Sequence, residues 1–483
     1  MKRIALLLTV LCLILPAGAH YKAKYHVIVD TDGGIDDFRT ICMLLASPEI
    51  EVIAITAVDG MLSPEETAKK VTALLRSFGH EGIPVGVGKT TGRKIRVPGT
   101  LRDAAGSLRW GEDLSEGLPV LPGAADLIRL SIELEEMPVD ILALGPMTNL
   151  AEAFGDLPAS NYPIRRIYWF TGEGDKKAFN YAADPDAAGY MQQYAFPMDR
   201  ISSGEMKTMD SGVFLSGLDT VRSVYAVAVR EAYREHPVLS RQNKGTETGS
   251  DLVPLYLTHP SLFRAEEVSP APQPRIVTVV KPDSLAFAIP LILDGNREDK
   301  TIIFNRFPVD PDLFEEDVAV LTDELIRRHG LKEWKLVVIT NEFHEHLGIY
   351  SIIGAKMGLR AREYFNLGID ELTIKALAGS QPPVSCMIDG LQASTGATLG
   401  HGTISVAEEG PAEPAALFSF KNTTIRIGLR DELREKIRNE VKAGVRAHGL
   451  NTEAYWVFIR EKALQYWLEF DRRDIFEITV LER

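Results

Sequence analysis

Tyr25-His-Val-Ile-Val-Asp-Thr-Asp-Gly-Gly-Ile-Asp-Asp-Phe38 decides how this chain is read. Val27-Ile28-Val29 is the pattern of a buried parallel strand, Gly33-Gly34 of a sharp turn, and the sequence from Asp36 onward of an amphipathic helix. Four carboxylates, Asp30, Asp32, Asp36 and Asp37, are thereby gathered at the carboxyl end of a strand, where open α/β sheets bind ligands. Like charges so close need a bound cation, a raised pKa or free access to water. A hard divalent cation with oxygen ligands answers that need best. A solvated acidic turn capping a helix explains one or two of the acids. An EF-hand loop counted from Asp30 fails, because Ile35 stands where the turn glycine belongs.

Outward from this stretch the chain alternates. Glu51–Val58 reads as a strand, Ser63-Pro-Glu-Glu66 as a capped helix start, and Ile83–Val87 as the next strand. A helix near Ala124–Glu136 precedes strands at Val139–Leu144 and Ile164–Phe170. The fold class is therefore α/β, a mostly parallel sheet with helices on both faces. Lys300-Thr-Ile-Ile-Phe304 reads as a last strand, followed by a helix over Pro311–Ile326. A boundary is expected near Arg327–Leu331, giving domains 20–331 and 332–483, the second a C-terminal α+β domain. The length of 483 residues, with 45% hydrophobic and 25% charged, suffices for two cores. A net charge of −14 argues against a nucleic-acid polymer as partner and suits a small molecule. Self-association into a homo-oligomer is left open.

Met1-Lys-Arg, the apolar Ile4–Pro16 and Ala17-Gly-Ala19 form a signal-peptide pattern over residues 1–19, too short to span a bilayer. A secreted or periplasmic protein without a membrane span is the expectation. Its mature form keeps only Cys42 and Cys386, which implies no disulfide framework.

Asp30, Asp32, Gly34, Asp36 and Asp37 match an Asp-x-Asp-x-Gly-x-Asp-Asp signature, and two further blocks follow in order: Gly145-Pro-Met-Thr-Asn-Leu-Ala151, then Phe179-Asn180 with Asp184-Pro-Asp-Ala-Ala188. Over residues 25–330 the chain resembles the inosine-uridine type nucleoside hydrolases. The resemblance implies cleavage of the ribose C1′ to base bond by water, assisted by calcium. It implies calcium ligands at Asp32, Asp37, the Thr148 carbonyl and Asp251, with Asp32 taking the proton of the attacking water as catalytic base. Asp36, Asn180 and Asp251 would bind the substrate. Read without the resemblance, Asp36 and Asp251 are helix-terminal acids and Asn180 a turn residue.

Departures from the family pattern fall on one side. Met61 stands for an asparagine, Ala178 for a glutamate and Ser250 for a histidine that assists the leaving base, while Thr171–Lys177 replaces a Gly-Asn segment. Glu173 or Asp175 could substitute. The resemblance thus implies a hydrolase of ribonucleosides or related ribosyl compounds that diverges on the base and 5′-hydroxyl side. Its rival is a non-catalytic ribosyl-compound binding protein that keeps the metal. A third reading is a haloacid dehalogenase-type phosphatase, with Asp30 as nucleophile.

Phe343-His-Glu-His-Leu-Gly-Ile-Tyr350, Gly354-Ala-Lys-Met-Gly358 and Ser385–Gly402 are similar to the E-type domain named for formylmethanofuran dehydrogenase. His344, His346 and Cys386 keep that pattern, and such N and S donors suit zinc or another transition metal. Gly348 and Ala397 stand where cysteines are expected, and His401 where lysine is usual. The plainer alternative is a packed or solvated histidine pair and a buried small cysteine.

Overall fold

The computed structural model describes residues 23–91, 99–114, 120–155, 162–172, 178–193, 196–203, 208–235, 246–268, 274–295 and 301–482. The signal-peptide pattern and the acids Glu173 and Asp175 lie outside the described residues.

An eight-stranded sheet runs in the order β3-β2-β1-β4-β5-β6-β10-β9. Its strands are β1 (Tyr25–Thr31), β2 (Ile50–Ala57), β3 (Val85–Val87), β4 (Val139–Ala143), β5 (Ile164–Phe170), β6 (Met198–Ile201), β9 (Phe263–Glu266) and β10 (Arg275–Val279); β7 (Thr208–Met209) and β8 (Thr246–Glu247) form a separate pair. All neighbours in the large sheet are parallel except β9 against β10. Strand order reverses between β1 and β4, the switch point at which a ligand crevice opens.

Period-two alternation explains why the middle of β1, Val27–Val29, is apolar on both faces. Val27 and Val29 enter one core with Phe38, Ile41 and Leu74, while Ile28 enters another with Ile128, Ile141 and Trp169. Both faces are covered, so polar residues there, such as Asp30 and Thr56, have to be hydrogen-bonded to one another. Helix α1 (Ile35–Ala46) follows the turn, with Gly33 at φ 82°. Helix α2 (Pro64–Phe78) begins as read: the Ser63 hydroxyl accepts from the Glu66 amide at 3.2 Å, and Pro64 occupies the first turn.

The expected strand at Lys300–Phe304 is corrected. Thr301–Phe304 forms no strand, and Ile302 and Ile303 are exposed at 91% and 86%. The sheet instead ends in the β9–β10 hairpin, which leaves that apolar run no partner. From Phe307 onward, Phe314, Val318 and Leu325 pack against a second core built on Trp334, Met357, Phe418 and Trp467. Gly330, at φ 85° and ψ 159°, breaks the helix Thr322–His344 inside the segment expected to hold the boundary.

The second sheet, β12-β11-β13-β14-β15, comprises β11 (Thr373–Ala376), β12 (Ile404–Val406), β13 (Ala415–Phe420), β14 (Thr423–Leu429) and β15 (Phe476–Glu482). Only β11 and β12 are parallel. This α+β part docks on the amino-terminal end of the large sheet. Arg360 donates to the Gly79 carbonyl at 2.9 Å and to Glu81 at 2.8 Å, the Gly82 amide donates to the Tyr364 carbonyl at 2.8 Å, and Asn366 donates to the Leu45 carbonyl at 3.4 Å.

Candidate active site

The opening acids occupy distinct niches at the end of β1. Asp30 is fully buried, and its Oδ1 accepts from Thr56 Oγ1 at 2.6 Å and Asn149 Nδ2 at 2.8 Å. Burial pushes its pKa up to about 7. It is a joint between β1, β2 and the helix Thr148–Phe154, without the access a nucleophile needs, so the phosphatase reading loses its central residue.

Asp32 stands at the crevice, close-packed by glycines. A Cβ at Gly60 would lie 2.3 Å from its Oδ2, and one at Gly145 would lie 2.9 Å from its Cβ. Those glycines let the β2 and β4 loops approach, and the Met61 amide donates to Asp32 Oδ2 at 3.2 Å. Burial, then the charges of Asp37 and Asp36, hold the Asp32 carboxyl well above the usual range. Asp37 accepts from Thr31 Oγ1 at 2.7 Å, from the Asp32 amide at 3.2 Å and from Ser250 Oγ at 2.6 Å. Burial, then Asp36, pushes its pKa up to about 7. Asp36 accepts from the Ser250 amide at 2.8 Å, an approach Gly249 permits, since a Cβ there would lie 1.9 Å from Asp36 Oδ2.

Ser250 thus has a role the sequence did not reveal: its hydroxyl and amide bind two of the acids. Asp251 is fully buried beside it. Its Oδ1 accepts from the Gly249 amide at 2.8 Å and from the Arg39 guanidinium, while its Oδ2 is buried without a hydrogen-bond partner. Arg39 also escaped the sequence reading; the signal was a charged residue inside the apolar run of α1.

Thr148 opens its helix with Oγ1 donating to Asp184 at 2.8 Å. Asn180 Nδ2 donates to the carbonyls of Leu144 at 2.6 Å and Phe170 at 2.8 Å, tying the ends of β4 and β5 together. Two carbonyl acceptors fix the amide orientation and leave Oδ1 as an acceptor.

Among the described residues, the His/Cys/Asp/Glu group whose ligand atoms converge within 4.8 Å is elsewhere: His26, Glu51 and Glu135. It lies at the amino-terminal end of β1, on the far side from Asp32. Lys421 already supplies a cation there, bonded to Glu51 at 2.6 Å and to Glu135.

In the second sheet's domain, His344 and His346 sit with ring centroids 4.2 Å apart. His344 Nδ1 meets Asp389 Oδ2 at 2.7 Å, and its Nε2 is buried without a partner. Burial, then His344, lowers the His346 pKa; burial, then Asp389, raises that of the half-buried Cys386. Asp389, three residues after Cys386, orients His344 and was not among the candidate residues read from sequence.

Residues 27–323 match the family described as inosine-uridine preferring nucleoside hydrolase, and residues 343–477 match FmdE, molybdenum formylmethanofuran dehydrogenase operon. Curated relatives include the non-specific ribonucleoside hydrolase RihC of Salmonella paratyphi A, 33% identical over 183 residues, covering 35% of this chain and 58% of the relative. RihC of Klebsiella pneumoniae is 32% identical over 179 residues, covering 34% and 57%. The chain thus spans little more than half the length of these relatives. Among solved structures, a plant nucleoside hydrolase aligns at TM-score 0.46 with 23% identity, covering 56% of this chain and 98% of that one. A purine-preferring ribonucleoside hydrolase from Gardnerella vaginalis aligns at 0.46 with 19% identity, over 56% and 98%. With more than half of its residues inside the first match, the chain belongs to the inosine-uridine preferring nucleoside hydrolase family, extended by a domain of the FmdE type.

Proposed function

We propose that this protein is a calcium-dependent hydrolase of the N-glycosidic bond of ribonucleosides or related ribosyl compounds. The observation that carries this reading is the set of desolvated carboxylates at the β1–β4 crevice. Asp32 and Asp37 are buried with raised pKa values, and Asp251 Oδ2 is buried without a partner. Such groups fit a hard cation, which removes their mutual repulsion. Asp32, Asp37, the Thr148 carbonyl and Asp251 would hold it. A bound calcium would supply a polarised water and an anchor for the ribose hydroxyls.

The chain's own residues do the rest. Asp32, at the end of β1, accepts the water's proton. Asn180, its Nδ2 occupied by two carbonyls, offers Oδ1 to a ribose hydroxyl. Asp36, steadied by the Ser250 amide, does the same. Asp251, before the helix Leu252–Thr258, would also bind the substrate.

On the leaving-group side, among the described residues, Ser250 occupies the position of the family's histidine. Ser250 donates its hydroxyl proton to Asp37. A leaving group that departs without a protein acid therefore suits this site. The same observation favours a second reading, a binding protein for ribosyl compounds. Release of free base or other aglycone from a panel of ribosides, with calcium and with chelator, separates the two. Chelator-sensitive release supports hydrolysis; tight riboside binding without release supports the second reading.

We further propose domains at 20–331 and 332–483, export directed by residues 1–19, and a transition-metal site at His344, His346 and Cys386. Zinc suits those donors, with Asp389 holding the His344 ring in place. Among the described residues no helix is long and apolar enough to cross a membrane.

A further inference from the structure

We propose that Arg39 is a resident cation of the calcium site, a positioning residue that fixes Asp251 and carries part of the charge balance. It keeps the crevice folded without metal and makes calcium binding weaker than the carboxylates alone would give. The proposal rests on the calcium reading above.

Arg39 lies one turn after Asp36 on α1, among Phe38, Ile41 and Cys42, all buried; its own side chain is 1% exposed. Its guanidinium donates to Asp251 and to the Tyr233 hydroxyl, and its centre lies 5.6 Å from the Tyr233 ring and 5.8 Å from the Phe214 ring. An arginine stays protonated in such a place, so the charge is permanent. A buried charge of this kind persists only when paired, and Asp251 is one such partner.

The charge balance then differs from that of a plain carboxylate cage. Asp32, Asp36, Asp37 and Asp251 bring four negative charges when ionised, and Arg39 cancels one. Without metal the cluster is spared a fourth uncompensated charge. With a divalent ion, one negative charge remains over these five side chains. Arg39 also engages Asp251 through Oδ1, leaving Oδ2 as the oxygen free to bind metal. It therefore supports the fold of the metal-free protein while repelling the incoming ion.

The test compares wild type, Arg39→Gln and Arg39→Lys in the full chain. Glutamine is neutral and can still donate to Asp251; lysine keeps the charge and loses the fork. Calcium chloride titrations by calorimetry and melting temperatures in chelator are read together. Arg39→Gln is expected to melt lower in chelator, to bind calcium at least about tenfold more tightly, and to gain more in melting temperature from calcium than wild type does. Arg39→Lys is expected to bind calcium within about threefold of wild type. Unchanged calcium affinity in folded Arg39→Gln overturns the proposal and leaves the calcium reading standing. If Arg39→Gln folds only with calcium, the proposal is supported. If it folds under neither condition, Arg39→Lys decides, and a tenfold or greater change in its affinity overturns the proposal. A wild type that takes up no calcium overturns both readings.

Discussion

Replacing Lys421 by methionine should loosen the junction between the two parts of the chain, and by an amount that depends on pH. Lys421 sits at φ 51° at the tip of the β13–β14 hairpin. Its ammonium bonds Glu51 at 2.6 Å and also Glu135, whose side chains are 9% and 3% exposed. His26 Nδ1 lies 3.4 Å from Glu51 and 3.5 Å from Glu135. Two carboxylates, one ammonium and one imidazolium balance; with His26 neutral, one negative charge is left over. Removing one partner of a buried ion pair costs about 3–5 kcal/mol, and because Lys421 is partly exposed we expect about 3 kcal/mol. Burial works against charge on His26, but Glu135 and Glu51 raise its pKa above 6.5, so its contribution is complete below 6.5 and is lost as pH rises through the folded value. Burial also works against Glu135, but His26 and Lys421 bring it to about 2, so its contribution is present above 4.5 and is lost as pH falls toward 2. The junction is therefore strongest between about pH 4.5 and 6.5. In Lys421→Met, protonated His26 still offsets one carboxylate near about pH 5.5 and none near about pH 8.5. Urea unfolding followed by tryptophan fluorescence at both pH values measures the difference. A loss below about 1 kcal/mol at both, or an equal loss at both, would refute the charge argument.

Three more predictions concern the two sites. Asp32→Asn should lower riboside hydrolysis by about 10²- to 10⁴-fold and weaken calcium binding while far-ultraviolet dichroism stays unchanged; steady-state kinetics and calcium titration check it. Asn180→Asp places a carboxylate against the Leu144 and Phe170 carbonyls, so stability should fall by about 1–3 kcal/mol and riboside binding should weaken, as denaturant melts and equilibrium titration would report. His344→Ala should abolish zinc uptake by the second part while leaving hydrolysis within about twofold of wild type, because it lies far from Asp32 and shares no partner with it. A large loss of hydrolysis there would mean the two sites are coupled.

The acids' position was legible because every determinant is local: an apolar strand, two glycines and a helix start within a dozen residues. Their partners were not. Arg39 meets Asp251 across 212 residues of sequence and Ser250 meets Asp37 across 213, distances at which periodicity says nothing. The Ser250 position was visible only as a lost histidine, and what the serine does had to come from packing. Asn180 was legible as a site residue, but not as the pin between β4 and β5. Thr301–Phe304 misled for the opposite reason. Its β-branched run has strand propensity, yet propensity cannot reveal that the β9–β10 hairpin already closes the sheet edge. Lys421 and Glu51, 370 residues apart, were likewise invisible in sequence.

The place of the second part on the first limits what it can do. Its contacts, at Leu45, Glu51, Gly79–Gly82 and Glu135, gather where strands begin and helices end. The acids gather where β1 ends. Seven residues of strand separate the two levels by roughly 20 Å, so among the described residues the junction contacts of the second part lie away from the acids. It acts as a foundation. Several rigid elements connect the levels, β1 and α1 among them. β1 carries His26 at its base and Asp30 near its top, and α1 carries Asp37 and Arg39 in its first turns and the Leu45 carbonyl, held by Asn366, in its last. Any influence of the proposed metal at His344 on the proposed hydrolysis has to pass through the junction that these elements share. A change confined to the His344 pocket, which leaves Lys421, Arg360 and Asn366 in contact, therefore leaves Asp32 where it stands.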